Sequence, residues 1–464
     1  MAQQEEADMA ERKPLIFSAF NMLAPSHHDH GQWRRDDSRQ LEYTTPQYWV
    51  DVARTLERAR FDILFFADVL APYETLGGNR DAALRTGLQA PVLDAASIVA
   101  LLAYTTENLG FAFTENVLQE PPYSFARRAS TLDHLTGGRL GWNIVTGSIP
   151  GTGRNLGYGG LPEHSDRYAR AEEFLEVVYK LWEQSWEDGA LLRDKATGHY
   201  TDAGKIHDIH HKGHFYDVPG AHASEPSPQR TPVLFNAGAS DRFAQFAADH
   251  AEAVFSSIEV GDPIANIAKL RKAAADAGRD PYDLKIISKF AYVLGSTEEE
   301  AQRINADLAE TRSVESLLIK LAEGAKKDLS ILGLQEKVSD ILERATADDI
   351  GSFRTRLENA PDKDWTLEQY VRWSGAQHAV GTPEQIADAI ESWSDVGIDG
   401  LNVHYLTQPG SWEDFADHLT PILTERGLMR ARYDPPGTTL RERLFGAGPH
   451  LPETHRARRA QQLV

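Results

Sequence analysis

Several groups of side chains in this chain have the types and spacing to do chemistry. Histidines gather at His27, His28 and His30, and again at His207, His210, His211 and His214. The pairs His207/His211 and His210/His214 are four apart, so on a helix either pair would share a face and could hold a metal. Their surroundings, residues 202–213, read instead as loop and turn, and no HExxH lies nearby. A surface or core-lining role is therefore expected, and no residue is assigned as a metal ligand. Asp68, Thr114 and Asn143 lie within or at the ends of apolar runs, where three polar groups could share one mouth. The segment Phe235-Asn-Ala-Gly-Ala-Ser240 leaves another apolar run and enters a helix near Asp241. Its small residues Gly238, Ala239 and Ser240 would expose backbone N–H groups at a helix N-terminus, which favours an anion such as phosphate. Ser240 equally suits a plain N-cap. His164 and Tyr168 share a face at the start of the helix predicted over residues 167–184 if Ser165 caps it. They could donate to one ligand, or simply belong to a capped helix with an amphipathic tyrosine. Gly151-Thr-Gly-Arg-Asn-Leu-Gly157 resembles a phosphate cradle, but misses GxGxxG by one residue and lacks the Lys-Ser/Thr of a P-loop. It reads as a flexible loop.

The elements that must position these groups alternate. Apolar runs at residues 14–20, 61–67, 109–113, 139–146, 231–238, 253–258, 284–294 and 400–405 read as strands. Helical periodicity falls between or after them at 48–60, 95–106, 122–135, 263–277, 298–321, 383–396 and 412–426, with Gly137 and Gly138 as a stop signal. The runs are continuously apolar, as in strands buried on both faces, which favours a parallel sheet. Eight such units predict an α/β fold, a (β/α)8 TIM barrel forming a single domain over residues 1–464. Long insertions are expected after strands four and seven, at about 147–230 and 301–381. Insertions and polar residues at strand ends fall on the C-terminal face, where barrel active sites lie. The tail, about 434–464, is rich in Pro, Gly and Arg and is expected to wrap the surface or another subunit.

Composition narrows the function. Of 464 residues, 69 are acidic and 48 basic, a formal charge of −21, which argues against nucleic acid or an anionic membrane as the main partner. The absence of cysteine excludes disulfides, iron–sulfur clusters, thiolate zinc sites and a cysteine nucleophile. The polar, acidic opening is unlike a secretory signal, and the longest apolar run, residues 95–104, is too short to span a bilayer. A cytoplasmic protein is expected.

Longer stretches carry a resemblance. Phe61-Asp-Ile-Leu-Phe-Phe-Ala-Asp68, Ala126-Arg-Arg-Ala-Ser-Thr-Leu-Asp-His-Leu-Thr-Gly-Gly-Arg139, Gly141-Trp-Asn-Ile-Val-Thr146 and His164-Ser-Asp-Arg-Tyr168 are among them. So are Glu225-Pro-Ser-Pro-Gln-Arg-Thr-Pro232, Gly381-Thr-Pro-Glu-Gln-Ile-Ala-Asp388 and residues 403–426. In these the chain resembles the bacterial-luciferase-like flavin monooxygenases, in the branch of the nitrilotriacetate, dibenzothiophene-sulfone, dimethyl-sulfide and long-chain-alkane enzymes. Residues 304–373 lie outside the aligned stretches.

The resemblance implies reduced FMN (FMNH2) as cofactor, O2 as co-substrate and a separate NAD(P)H:flavin reductase as partner. It implies oxygenation of a small organic molecule at carbon, sulfur or nitrogen, in some cases with C–S or C–N cleavage. A homodimer or homotetramer is expected. The flavin-contacting positions correspond to Asp68, Thr114, His164, Tyr168 and Ser240, beside Asn143, Gly238 and Ala239 of the same mouth. Tyr73 and Gln89 fall in stretches that line the substrate side. His27 or His164 could move protons, since histidine titrates near neutral pH. Phe20, Trp33, Phe66, Phe113 and Trp142 are available to form an apolar mouth. Two departures touch the substrate side: Ala24 where alkane-oxidising relatives carry cysteine, and Gly147-Ser148 after Thr146. The rival readings are a flavin-degrading, riboflavin lyase-type member of the same family, a metal-dependent barrel hydrolase and a non-catalytic flavin-binding protein.

Overall fold

The computed structural model describes residues 13–238, 240–256, 258 and 261–459. Eight strands form the barrel: β1 (Ile16–Met22), β2 (Ile63–Ala67), β3 (Gly110–Asn116), β4 (Leu140–Val145), β5 (Val233–Ala237), β6 (Ala253–Ser256), β7 (Lys285–Leu294) and β8 (Gly400–His404). Each pairs in parallel with the next, and β8 pairs with β1, so the sheet closes. The (β/α)8 expectation is met.

The two-residue period of a strand sorts its side chains between inside and outside. Ile16, Ile63, Phe65, Ala112, Val233, Phe235, Phe255 and Ile287 fill the barrel, with Phe20 packed against them. The alternate residues, including Phe17, Leu64, Phe66, Phe111, Phe113 and Trp142, belong to the core under the helices. Phe66, Phe113 and Trp142 therefore do not form the mouth: Phe66 meets Trp49 on the preceding helix, and Trp142 meets Phe125. Trp33 is held apart by a hydrogen bond from its indole N–H to the Thr86 carbonyl at 3.2 Å. Of the five aromatics, Phe20 faces the barrel interior.

The tail does more than wrap the surface. Thr439 and Glu442 form a capping box that starts the helix Leu440–Phe445. Leu440 and Leu444 from that helix join the apolar filling beside Ile16 and Ile63, at the N-terminal ends of the strands. Between them Arg441, 1% exposed, forms an ion pair at 2.7 Å with Glu252, 3% exposed. The end opposite the plug is left for ligands.

Residues between β4 and β5 form a short helix Pro150–Asn155, the helix His164–Tyr179 and two small hairpins. After β7 the continuous helical pattern at residues 298–321 divides into Glu298–Thr311 and Val314–Ala325. Ser313 is extended, its hydroxyl accepts the Ser316 N–H at 3.1 Å, and its own N–H donates to the His30 carbonyl at 2.8 Å. A long-range bond and a cap thus interrupt a pattern that periodicity alone would continue. The helices that follow pack a separate apolar cluster around Leu317, Ile341, Phe353, Leu357 and Tyr370. Among the described residues no helix is long and apolar enough to cross a membrane.

Candidate functional site

A cavity of about 230 Å³ opens where β2, β3, β4 and β5 end. Asp68, Thr114, Asn116, Asn236 and Tyr168 are among the polar residues that line it. Asp68 directly follows β2, and its Oδ1 accepts the Val69 N–H at 2.7 Å. Burial pushes its carboxyl up to about 7, and the nearby Asp94 carboxylate adds to the shift. It can therefore hold or release a proton near neutral pH.

Thr114 and Asn143 are register partners on β3 and β4. Asn143 Nδ2 donates to Thr114 Oγ1 at 3.0 Å, which leaves the threonine O–H free to donate into the cavity. Asn143 itself stands behind Thr114, and its Oδ1 is buried with no partner. Asn236, which the sequence reading passed over, donates from Nδ2 to the Ile144 carbonyl at 2.7 Å, and its Oδ1 is also buried without a partner. A polar residue inside an apolar strand run was the available signal.

The glycine-rich stretch is not a flexible loop. It enters the helix Pro150–Asn155, and a Cβ at Gly153 would lie 2.2 Å from the Gly160 carbonyl oxygen, so this wall is pressed together. Thr152 faces the cavity from it. Gly147 has φ of +82°, and a Cβ there would lie 2.8 Å from Asn116 Nδ2. A side chain at that point would be strained.

On the other wall the helix begins at His164 with Glu163, not Ser165, in the N-cap position. His164 and Tyr168 do share a face, with ring centres 4.9 Å apart, but His164 is exposed while Tyr168 lines the cavity. Arg242 lies over the Tyr168 ring at 5.0 Å. Ser240 is the N-cap of Asp241–His250, and its Oγ accepts the Phe243 N–H at 3.1 Å. Accepting that bond leaves its hydroxyl proton available to an anion. The Gly238 N–H is committed to the Phe255 carbonyl at 3.3 Å, so it is not an exposed donor. Ala239 lies outside the described residues.

His27, Tyr73 and Gln89 do not line this cavity. The His27 ring packs on Phe20 at 4.8 Å and His28 at 4.1 Å, and burial holds its pKa well below the usual value. Tyr73 accepts a hydrogen bond from Lys320 Nζ at 3.2 Å. Gln89 is buried in a left-handed conformation, φ +55°, with its N–H donating to the Ser26 carbonyl at 2.9 Å.

The second histidine group is not helical. His211–Lys212 pairs with Asp217–Val218 in a hairpin, His207 Nε2 meets Glu187 at 2.7 Å, and His211 Nε2 meets Glu173 at 3.3 Å. Among the described residues no three His, Asp or Glu side chains form a group that could hold a metal.

A closed (β/α)8 barrel with a polar cavity at the C-terminal ends of its strands has the layout of a barrel enzyme. The luciferase-like monooxygenase family matches residues 20–400, and the chain belongs to that family. It is 38% identical over 454 residues to a long-chain alkane monooxygenase of Geobacillus thermodenitrificans, covering 97% of this chain and 99% of that one. A solved long-chain alkane monooxygenase superposes with a TM-score of 0.86 at 38% identity, over 97% of this chain and 99% of the other. A dimethyl-sulfide monooxygenase of Hyphomicrobium sulfonivorans is 38% identical over 447 residues, 94% of this chain and 91% of the relative. A riboflavin lyase solved with modified FMN and riboflavin superposes with a TM-score of 0.83 at 35% identity, over 96% of this chain and 99% of that one. The protein is thus a monooxygenase, an oxidoreductase of the flavin-dependent kind.

Proposed function

We propose that the cavity at the ends of β2–β5 takes FMN in its reduced form, delivered by a separate NAD(P)H:flavin reductase, and that the enzyme oxygenates a small organic substrate with O2. The donor and acceptor set of the cavity carries this reading. The hydroxyl of Thr114, held from behind by Asn143, and the amide oxygen of Asn236 suit a ring edge with both carbonyl and N–H groups. Tyr168 and Ser240, with His164 beside them, suit the phosphate at the start of Asp241–His250. Reduced flavin bound there supplies the two electrons that activate O2, one oxygen atom going to the substrate and the other to water.

The protein's own part is to bind, to exclude water and to place protons. The apolar filling around Phe65, Phe235 and Phe255 keeps water out below the cavity. Asp68, poised at about 7, holds a proton on its carboxyl at the cavity wall. His27 is kept neutral by burial, so on the Tyr73 and Gln89 side it would offer a neutral ring nitrogen to a hydrogen bond rather than store a proton.

The reductase is inferred from the absence in the sequence of any GxGxxG opening a helix after a strand. The test is reconstitution. NADH alone should give no turnover, and NADH with FMN and an unrelated flavin reductase should restore it, with substrate mass increased by one oxygen or reduced by the cleaved fragment. Sustained NADH oxidation by the purified chain alone excludes the two-component reading. The likeness to a riboflavin lyase supports a second reading, in which the flavin ring system is itself attacked. Loss of the ribityl chain from added riboflavin in the same assay would select it.

A further inference from the structure

Asn116 is the last residue of β3 and lines the cavity on the same strand face as Thr114, about 6–7 Å further along. Its acceptors are already committed. The Asn116 carbonyl accepts the Gln119 N–H at 2.9 Å, and its Oδ1 accepts the Leu118 N–H at 3.0 Å. This Asx turn fixes which way the amide points, because a flipped amide would set two donors against each other. Nδ2 is therefore turned away from Leu118, and among the described residues it has no hydrogen-bond partner. Gly147, also in the cavity lining, gives it room. A Cβ on Gly147 would lie 2.8 Å from Nδ2, and its φ of +82° disfavours any side chain. An Asx turn on β3 and a left-handed glycine after β4 thus hold one N–H donor at the cavity wall.

That donor belongs to a cavity in which negative charge has no cation to meet. Among the described residues no Lys or Arg lines it, and its one acid, Asp68, has a pKa raised to about 7 by burial. Charge on a ligand is then met by neutral donors such as the Thr114 O–H and the Asn116 N–H. Reduced flavin gives up its N1 proton near neutral pH, and the negative charge spreads over N1 and the C2 carbonyl, whereas the oxidised ring is neutral. A hydrogen bond to a charged acceptor is roughly twice as strong as one to a neutral acceptor. We propose that Asn116, kept in place by Gly147, donates from Nδ2 to the pyrimidine edge of the flavin ring and makes the cavity prefer reduced over oxidised flavin. This rests on the reading of the cavity as the flavin site. It lets a chain that receives its flavin by diffusion hold the form that reacts with O2 and release the spent one.

The test is binding without turnover. The full chain is titrated at neutral pH, without oxygen, with reduced FMN, oxidised FMN and reduced riboflavin. Asn116→Ser keeps an acceptor for the Leu118 N–H but withdraws the donor. It should weaken reduced FMN and reduced riboflavin alike, roughly 10- to 150-fold, the range for a hydrogen bond to a charged group. Oxidised FMN should lose only about 2- to 12-fold, the range for neutral partners. Asn116→Asp has the same size and keeps the turn, which separates a lost donor from a lost fold, and should weaken the reduced flavins further still. Gly147→Ala should reproduce the loss in wild type and add little in Asn116→Ser, because the amide it displaces is gone. Equal losses for reduced and oxidised FMN, no loss at all, or a loss with FMN but not riboflavin would overturn the assignment and leave the flavin reading standing. A wild type that binds neither flavin would remove that reading, and the proposal with it.

Discussion

Asn143 Nδ2 reaches Thr114 Oγ1 at 3.0 Å across the β3–β4 register, and that bond decides which way the threonine hydroxyl can point. With a lone pair occupied from behind, Thr114 is left as a donor to the cavity. Thr114→Val keeps the shape but strands the buried amide. It should cost about 1–3 kcal/mol in denaturant unfolding, the penalty for a buried donor without a partner, and also weaken reduced FMN. Thr114→Ser should restore most of both. Full stability in Thr114→Val would mean that Asn143 finds another acceptor.

Asp68 links the cavity to pH. Its carboxyl rises from 3.8 to about 7 on folding, chiefly through burial. Between those values the unfolded chain has lost a proton that the folded chain keeps, so this group's contribution to stability falls as pH rises from about 4 to about 7. Asp68→Asn removes that dependence. Relative to wild type, the variant's denaturant midpoint should climb steadily across the window and then level off. Glu115, also raised to about 7, keeps its own slope in both proteins, so the difference between the curves isolates Asp68. A constant difference from pH 4 to 7 would show an ordinary carboxylate.

Much of this architecture was legible because the eight apolar strands are short and well separated, and because Asp68, Thr114 and Tyr168 interrupt apolar or helical patterns where a ligand would sit. The inside and outside of the barrel were not legible. Phe66, Phe113 and Trp142 lie on the outward positions of their strands, but the helices bury them as fully as the barrel buries Phe65. A continuous apolar run therefore carries no alternation to read. Nor was the place of Lys320, which comes from an insertion outside the aligned stretches and reaches Tyr73 across 247 positions of sequence. The break before it at Ser313 depends on the distant His30 carbonyl.

The plug at the closed end was also hidden, since a Pro-, Gly- and Arg-rich tail looks solvated. Arg441 pairs with Glu252 at 2.7 Å with both side chains almost fully buried, and its guanidinium also donates to the Thr231 carbonyl at 2.9 Å. Arg441→Ala would leave Glu252 as a buried charge without its partner, and should destabilise the fold by about 3–5 kcal/mol in equilibrium unfolding. Replacing both partners, Arg441→Met with Glu252→Gln, should recover much of that loss. A loss below about 1 kcal/mol for Arg441→Ala would show that the helix Leu440–Phe445 contributes little to closing the barrel.

Ser240 and Tyr168 separate two roles that one hydroxyl can combine. Ser240 Oγ accepts the Phe243 N–H at 3.1 Å, so Ser240→Ala should cost about 1 kcal/mol of stability through the lost cap. Its hydroxyl proton and that of Tyr168 remain to be donated to a phosphate. A hydrogen bond to a charged group is worth on the order of 1.5–3 kcal/mol, so Ser240→Ala and Tyr168→Phe should each weaken reduced FMN roughly 10- to 150-fold. Reduced riboflavin has no phosphate, and its binding should hardly change. Titration of both flavins without oxygen, into wild type and the two variants, reads the difference directly. Tyr168→Phe makes the cleaner comparison, because among the described residues the Tyr168 hydroxyl makes no hydrogen bond to the fold. Equal losses for both flavins would place these residues against the ring or in the fold, and a stability loss in Ser240→Ala with FMN affinity intact would leave that serine as a helix cap alone.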